Sequence, residues 1–237
     1  MCGIHGFFNG KVKALNISDF LGQGFVAGSL RGMDSSGIAA IDTTSNYLEY
    51  QKLPVNGSYF VQDKLAKKLF EAGRSPHMLS ICHTRHATSG GLGLNTAHPF
   101  YIDVADEANN FREMIGVHNG SLTEWSTKPK AKNYSVDSEW ALNHIFEHGD
   151  EAFLDFKGAY CFVWWDSDNE KVLNIARNDT REMYVALLEN GGMAYASEAG
   201  MLHWLLERNS LKVKSIFALD DNMHYKFVQD DFANFTK

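Results

Sequence analysis

The chain has 237 residues, of which 44% are hydrophobic and 22% charged, with four prolines and a formal net charge of −7 at pH 7. This composition excludes a disordered or fibrous protein and supplies enough apolar residues for one sizeable core, so we expect a single domain over residues 1–237. The acidic balance argues against a nucleic-acid-binding surface, which is normally basic.

Targeting signals are not evident in the sequence. No apolar run reaches the roughly 18 residues that a membrane helix needs, and Gly10, Lys11 and Lys13 interrupt the N-terminus too early for a signal peptide. The three cysteines lack the spacing of a disulfide framework, which suits a reducing compartment. We therefore expect a cytoplasmic protein that binds neither membrane nor nucleic acid.

The first predicted element is a strand over residues 3–9, directly after Cys2. Cap-type residues followed by apolar residues at helical spacing predict a helix over about 18–30. Residues 34–37 have the composition of a turn. Strands over 38–41 and 47–50 are then predicted to form a hairpin.

In the middle of the chain, apolar residues that recur every three to four positions predict one helix over 58–72. A short strand over 78–83 leads into a glycine-rich loop, residues 89–95, which could close over a small ligand. Another buried strand is predicted over 114–117. The sequence His118-Asn119-Gly120 favours a turn at its end.

In the last part of the chain, a helix is predicted from Asp137 to about His148, with Asp137 as its N-cap. Three strands follow, over 159–165, 172–176 and 183–188. A final helix is predicted from Ser197-Glu198 to about Arg208, and residues 213–228 form a weaker strand pattern. Strands joined by short turns, with helices interspersed irregularly, indicate mainly antiparallel sheets covered by helices.

Cys2 is a candidate nucleophile. If the initiator methionine is removed, which the small side chain permits, this residue carries both a thiol and a free α-amino group. The pKa of an α-amino group is about 7.7–8.0 and that of a thiol about 8.5, so each can exchange a proton with the other near neutral pH. The alternative interpretation is a small apolar residue at a frayed chain end.

Eight short motifs occur along the chain in a fixed order: Cys2-Gly-Ile-x-Gly, Arg31-Gly-x-Asp34-Ser-x-Gly37, His83-Thr-Arg-x-Ala-Thr88, Asn95-x-x-His98-Pro99, His118-Asn-Gly120, Asp137-Ser-Glu139, Gly158-Ala-Tyr160 and Ala196-Ser-Glu198. Together they resemble the signatures of the class II glutamine amidotransferase domain, of the N-terminal nucleophile hydrolase superfamily. The resemblance implies an α+β fold, a four-layer α/β/β/α sandwich of two mainly antiparallel sheets between helical layers. It implies L-glutamine as substrate and no cofactor.

The resemblance also implies the chemistry. Cys2 is expected to attack the side-chain amide of glutamine, forming a thioester and releasing ammonia before water frees glutamate. Asn119, through its side-chain amide, and Gly120, through its backbone N–H, are expected to form the oxyanion hole, since fixed donors aimed at a developing oxyanion are effective catalysts.

Further residues are expected to bind the amino-acid end of the substrate. By the resemblance, Arg85 holds the α-carboxylate and Asp137 the α-ammonium, whereas the residues alone would indicate a surface charge and a helix cap. Thr88 and His86 are expected beside the substrate, although His86 stands where relatives commonly carry an aromatic residue and Ser89 where some have histidine. Two further residues, Arg31 and Asp34, are expected to support the nucleophile.

Enzymes of this family usually fuse the glutaminase to a synthase, and only a short segment follows Glu198 here. Our hypothesis is a glutaminase subunit whose ammonia passes to a separate synthase or ligase protein. Two alternatives remain open: a γ-glutamyl or other amide hydrolase without nitrogen transfer, and an inactive regulatory binding module.

A metal site is a further possibility, because Cys82, His83, His86 and His98 are close in sequence. Adjacent residues of a strand face opposite sides, however, which separates Cys82 from His83. No Cys-x-x-Cys pair is present to complete a zinc site. We therefore expect no metal.

Overall fold

The computed structural model describes residues 2–10, 17–45, 47–73, 75–87, 90–105 and 111–236. Its α-helices are α1 (Ser18–Gly28), α2 (Gly57–Phe60), α3 (Lys64–Ala72), α4 (Asp137–His148) and α5 (Ala199–Arg208). Its strands are β1 (Gly3–Phe8), β2 (Ser35–Asp42), β3 (Tyr47–Leu53), β4 (Met78–Arg85), β5 (Phe100–Ala105), β6 (Phe111–Thr123), β7 (Lys157–Asp166), β8 (Val172–Arg177), β9 (Tyr184–Leu188), β10 (Met193–Ala196), β11 (Val213–Ala218) and β12 (Met223–Val228).

The strands form two sheets in which every described pairing is antiparallel. The first sheet has seven strands in the order β11-β9-β10-β1-β4-β2-β3, and the second has five in the order β12-β8-β7-β6-β5. The strand that follows Cys2 is therefore the centre of the larger sheet. Its neighbours β4 and β10 come from distant parts of the chain.

Three apolar clusters define the layers. Residues from the inner faces of both sheets, such as Ile4, Val117 and Val163, share one buried cluster. The outer face of the first sheet packs on α1, α3 and α5, and the outer face of the second packs on α4. Because alternate side chains of a strand point to opposite faces, each sheet contributes to two clusters, namely the shared one between the sheets and the one under its own helices. The expected α/β/β/α sandwich is confirmed.

The first strand is covered on both faces. Ile4 and Phe8 belong to the cluster between the sheets, whereas Phe7 belongs to the cluster under the helices. On that helical side, the ring of His5 packs edge-on against Phe25 of α1, with 4.9 Å between centroids. All six residues of β1 are buried, so the strand has little freedom to move.

Several predicted elements are confirmed with small changes at their ends, namely β1, α1, the β2–β3 hairpin, α4 and α5. The predicted helix over 58–72 is wrong in one respect, because it is two helices. The carboxylate of Asp63 accepts the backbone N–H groups of Leu65 and Ala66 at 3.0 Å and begins α3 afresh. Such a side chain ends one helix and caps the next.

Two turn predictions are wrong. The segment 34–37 is mostly strand, since β2 already begins at Ser35, which pairs with Arg85. Likewise β6 runs through His118-Asn119-Gly120 to Thr123, and Asn119 pairs with Cys161 of β7. Long-range pairing overrides the local preference of Asn-Gly for a turn.

Two strands, β5 and β10, have no counterpart among the predicted elements. The weak strand pattern over 213–228 is two strands that belong to different sheets. Of the predicted loop 89–95, position 89 lies outside the described residues, and Leu94–Thr96 form a single 3-10 turn. None of the helices in the described ranges has the length and apolarity required to cross a membrane.

Two glycines of α1 provide a test of the packing against β1. A Cβ atom at Gly24 would lie 2.3 Å from the buried ring of His5, whereas at Gly22 the nearest atom would be 3.9 Å away, on Phe70. We expect Gly24→Ala to lower the free energy of unfolding by about 1–3 kcal/mol through overpacking. Gly22→Ala should raise it by up to about 1 kcal/mol through helix propensity.

Urea unfolding of both variants measures this difference. Equal changes in the two midpoints, or a stabilised Gly24→Ala protein, would contradict the close approach of α1 to β1.

Candidate active site

Cys2, the predicted nucleophile, immediately precedes β1 and is only 8% exposed. Gly3 pairs with Thr84 of the adjacent strand β4. This register brings Cys2 beside Arg85, because neighbours of paired residues on adjacent strands face one another. The burial of β1 thus fixes the position of the thiol.

The thiol sulfur contacts the segment that follows β4. The backbone N–H of His86 donates to Cys2 Sγ at 3.4 Å. Burial raises the pKa of the Cys2 thiol, while the His86 N–H and the positive charge of Arg85 act in the opposite direction. Cys2 is therefore protonated at neutral pH, and a base is needed to make it a nucleophile.

Arg31 supports the peptide that follows Cys2. Its Nε donates to the carbonyl oxygen of Cys2 at 2.9 Å, and its guanidinium also forms an ion pair with Glu198 at the start of α5. The planar guanidinium suits two such acceptors at once. Arg31 consequently joins the end of α1, the nucleophile and α5.

Asp34 organises the residues on the other side of the sulfur. Its carboxylate accepts the backbone N–H of Ala87 at 2.6 Å and lies 3.8 Å from His86 Nδ1. Its own N–H donates to the Arg85 carbonyl at 3.0 Å. Asp34 thus shapes the segment whose N–H group meets Cys2 Sγ.

Arg85 is the last residue of β4 and is buried. Its Nη1 donates to the carbonyl of Gly91 at 2.9 Å, which ties the glycine-rich loop to the end of the strand. The side chain of His86 is instead 52% exposed. Thr88, the other predicted substrate contact, lies outside the described residues.

Asn119 and Gly120 lie within β6, and Asn119 is buried. Gly120 pairs with Tyr160, and a Cβ atom there would meet the Ala159 carbonyl oxygen at 2.0 Å. Only glycine fits so close an approach of two backbones. The pair therefore sits on a rigid strand rather than in a turn.

Asp137 is the first residue of α4, and the expectation that it caps the helix is wrong because Val136 occupies the cap position. The carboxylate accepts the backbone N–H of Leu122 at 2.8 Å and that of Ser138 at 2.9 Å. It is buried. Its negative charge is close enough to Cys2 to raise the pKa of the thiol.

The two halves of this cluster come from different sheets. Arg85 belongs to the first sheet and Cys2 immediately precedes its strand β1, whereas Asn119 and Gly120 belong to the second sheet. They are joined by His83 of β4, whose Nε2 lies 3.0 Å from the carbonyl oxygen of His118 in β6. The structure thus brings the predicted nucleophile, cation, anion and amide donors to one end of the sandwich.

The histidines that could have formed a metal site are arranged differently. His83 and His98 stack with ring centroids 4.0 Å apart, whereas Cys82 faces the helical layer. In the chain as far as it is described, no three side chains of His, Cys, Asp or Glu are grouped to hold one metal ion. Burial lowers the pKa of His83 to about 3, so its ring is neutral.

Sequence reasoning missed four residues that hold the cluster together, His83, His118, Ser138 and Glu198. His118 Nδ1 lies 2.9 Å from Ser138 Oγ, next to Asp137. A signal was present, since His83 and Arg85 are two apart on one strand and share a face. The partners of these residues are distant in sequence, so their contacts were not predictable.

The chain is similar in sequence to known proteins. The family described as "Glutamine amidotransferases class-II" matches residues 64–231. The chain is 29% identical over 196 residues to the glutamine–fructose-6-phosphate aminotransferase (isomerizing) of Neisseria meningitidis serogroup B, covering 75% of this chain and 29% of that protein. It is 25% identical to the amidophosphoribosyltransferase of Pasteurella multocida, covering 97% of this chain and 44% of that protein.

Solved structures show the same fold. The glutamine phosphoribosylpyrophosphate amidotransferase of B. subtilis, complexed with ADP and GMP, superposes with a TM-score of 0.70 at 17% identity, covering 96% of this chain and 47% of that one. A structure of the allosteric regulatory enzyme of purine biosynthesis gives 0.69 at 18% identity, with the same coverage. This chain spans less than half the length of each of these proteins.

The buried histidines predict a loss of stability in acid. Burial lowers the pKa of His5 to about 4 and that of His83 to about 3, whereas an unfolded chain binds these protons near pH 6.5. Between those values the unfolded state carries more protons, so the free energy of unfolding falls as the pH is lowered below about 6.5. Each histidine should contribute up to about 1.4 kcal/mol per pH unit.

Urea unfolding between pH 7 and pH 4.5 measures this slope. His5→Gln should reduce the slope by the amount that corresponds to about one bound proton. His203→Gln, at an exposed position of α5, serves as the matched control. A wild-type slope that His5→Gln leaves unchanged would show that His5 titrates normally in the folded protein.

Proposed function

The chain belongs to the class II glutamine amidotransferases, and from that membership we propose that it hydrolyses the side-chain amide of glutamine, giving glutamate and ammonia for transfer to an acceptor. One observation carries the proposal: the buried Cys2 thiol lies where Arg85 and Asp137 act on its pKa in opposite directions. A nucleophile near a buried cation and a buried anion matches glutamine, whose α-carbon bears one charged group of each sign.

Cys2 is the nucleophile in this proposal. Because burial raises the pKa of its thiol, a base must take the proton before attack. Removal of Met1 would expose an α-amino group on the same residue, with a pKa of about 7.7–8.0. That amine accepts the thiol proton, and Arg31, bonded to the Cys2 carbonyl, holds the peptide that follows both groups.

The reaction then proceeds in two halves. The thiolate sulfur adds to the side-chain carbonyl carbon of glutamine, and the carbonyl oxygen becomes an oxyanion facing the amide of Asn119 and the N–H of Gly120. The carbon–nitrogen bond then breaks, and the leaving nitrogen takes a proton from the α-ammonium group of Cys2. Ammonia departs, and a thioester between Cys2 and the glutamyl group remains. Water attacks this thioester, releases glutamate and returns the free thiol.

Arg85 and Asp137 hold the other end of the substrate. The planar guanidinium of Arg85 can bind the α-carboxylate with two parallel hydrogen bonds. Asp137 accepts the α-ammonium with lone pairs that its bonds to Leu122 and Ser138 leave available. We place His86 and Thr88 beside the bound substrate, and Arg31 and Asp34 in support of the nucleophile.

We further propose that residues 1–237 form one glutaminase domain and that its ammonia is used by a separate synthase or ligase protein. The relatives named above are more than twice as long as the segment they share with this chain, so an acceptor site belongs to their additional length or to another chain. The three cysteines are free thiols, which agrees with a cytoplasmic location.

A covalent label tests the nucleophile. Intact mass spectrometry of the purified protein should show loss of Met1, and a diazo-ketone analogue of glutamine should add one equivalent of label. Cys2→Ala should take up none and should hydrolyse no glutamine, while Cys82→Ala, which changes a buried thiol of the core, should still be labelled. Processed, folded protein that takes up no label would contradict the proposal.

A separate experiment tests the acceptor. Affinity purification from the source organism should recover an ammonia-using synthase or ligase with the tagged chain. In that complex, nitrogen from amide-labelled glutamine should enter the product even when unlabelled ammonium is in excess. Full glutaminase activity of the chain alone, without any such protein recovered, would show that no separate acceptor is required.

A further inference from the structure

One edge of β6 lacks a strand partner where the predicted oxyanion donors lie. β5 pairs with β6 only as far as Gly116, which faces Phe100, whereas β7 continues along the other edge to Thr123. Within the described residues, β6 is therefore bonded to a strand on one side only from Val117 to Thr123. An unpaired strand edge carries N–H and C=O groups that need other partners.

His83 supplies a partner at this open edge. Its Nε2 lies 3.0 Å from the carbonyl oxygen of His118. In an antiparallel ladder, successive residues direct their backbone groups to alternate edges. Because the carbonyl of His118 points to the open edge, the N–H of Gly120, two residues later, points to the same edge. The predicted oxyanion donor thus shares an edge with the carbonyl that His83 holds.

His83 is itself rigidly placed. It is fully buried, pairs with Ile4 of β1 and Gly37 of β2, and stacks on His98. A carbonyl oxygen can only accept, so the hydrogen bond to His118 requires the proton on Nε2. The lowered pKa of the ring keeps His83 neutral, with that single proton available for the bond.

A second contact holds the other side of the same residue. The ring of His118 stacks on Phe162 of β7 with centroids 4.4 Å apart, and its Nδ1 lies 2.9 Å from Ser138 Oγ at the start of α4. His118 therefore connects β6 to the helix that carries Asp137. Its carbonyl is the link from this assembly to the first sheet.

We propose that His83 is a positioning residue whose Nε2–H bond to the His118 carbonyl holds the open edge of β6 where Asn119 and Gly120 meet an oxyanion formed on Cys2. The inference rests on the proposed function. It concerns orientation rather than substrate binding, because His83 acts through the backbone of β6. A misplacement of about 1 Å at such donors lowers the rate by on the order of 10²-fold.

A matched pair of variants tests this role. Glutamine can place an amide N–H near the position of the imidazole Nε2, whereas asparagine reaches only the position of Nδ1. We expect His83→Gln to keep kcat within a factor of about 3. His83→Asn should lower kcat by roughly 10–100-fold with KM changed less than about twofold, since the donors act on the transition state.

Thermal unfolding of both variants separates positioning from folding. Equal loss of kcat in His83→Gln and His83→Asn, or a loss that follows the folded fraction, would overturn the inference, as would an effect confined to KM. The wild-type protein and Cys2→Ala are assayed in parallel. Absence of Cys2-dependent glutamine hydrolysis would count against the proposed function itself.

The hydrogen bond can be measured without turnover. A ¹⁵N–¹H NMR spectrum of the imidazole groups should show His83 protonated at Nε2, and His83→Leu should remove that signal. An Nδ1-protonated ring would exclude donation to the His118 carbonyl whether or not the protein hydrolyses glutamine. Failure of the proposed role of His83 can therefore be distinguished from failure of the proposed glutamine hydrolysis.

Discussion

The burial of β1 on both faces is the constraint on which the rest of the structure depends. A strand inside a sheet satisfies its backbone groups through two neighbours, and a strand covered on both sides must also present apolar or hydrogen-bonded side chains in both directions. Ile4 and Phe8 meet the second sheet, while Phe7 meets the helices. The residue just before this strand is held by a frame that cannot shift without disturbing three layers.

The candidate site uses this rigidity at one end of the sandwich. The first sheet supplies a thiol and a guanidinium, and the second supplies amide groups and, through α4, a carboxylate. Some of these polar groups are oriented by a second group, such as Glu198 at Arg31 and Leu122 at Asp137. Buried polar networks of this type are costly when incomplete but rigid when satisfied. The arrangement therefore provides fixed dipoles and charges in a site largely screened from water.

Much of the fold could be predicted from the sequence because local patterns agreed with the final structure. The alternation and apolar content of β1, β7 and β8 and the spacing in α1 and α4 identified these elements within a few residues. The family motifs also pointed to Arg85 and Asp137, two residues whose charges act on the Cys2 thiol in the structure. The success reflects consistency between local preference and tertiary environment.

Apart from the helix over 58–72, which a local cap at Asp63 divides, the failures have one physical cause, which is pairing between distant segments. Asn119-Gly120 has a strong preference for turns, yet it remains extended because β7 pairs with β6 from Met114 to Thr123. The short strand β10 has no distinctive pattern and exists because β1 and β9 flank it. Contacts such as His83 with His118 join residues that no spacing rule connects. Asp137 likewise contacts the backbone of Leu122, which lies on β6, 15 positions earlier in the chain.

The strand order also has a consequence for the timing of synthesis. His5 pairs with Ala196, so the second neighbour of β1 is made about 190 residues after it. At about 5–20 residues per second, the N-terminus waits roughly 10–40 seconds before the sheet around it can close. Cys2 is buried in the finished protein, but during this interval it is still accessible to enzymes that modify nascent chains.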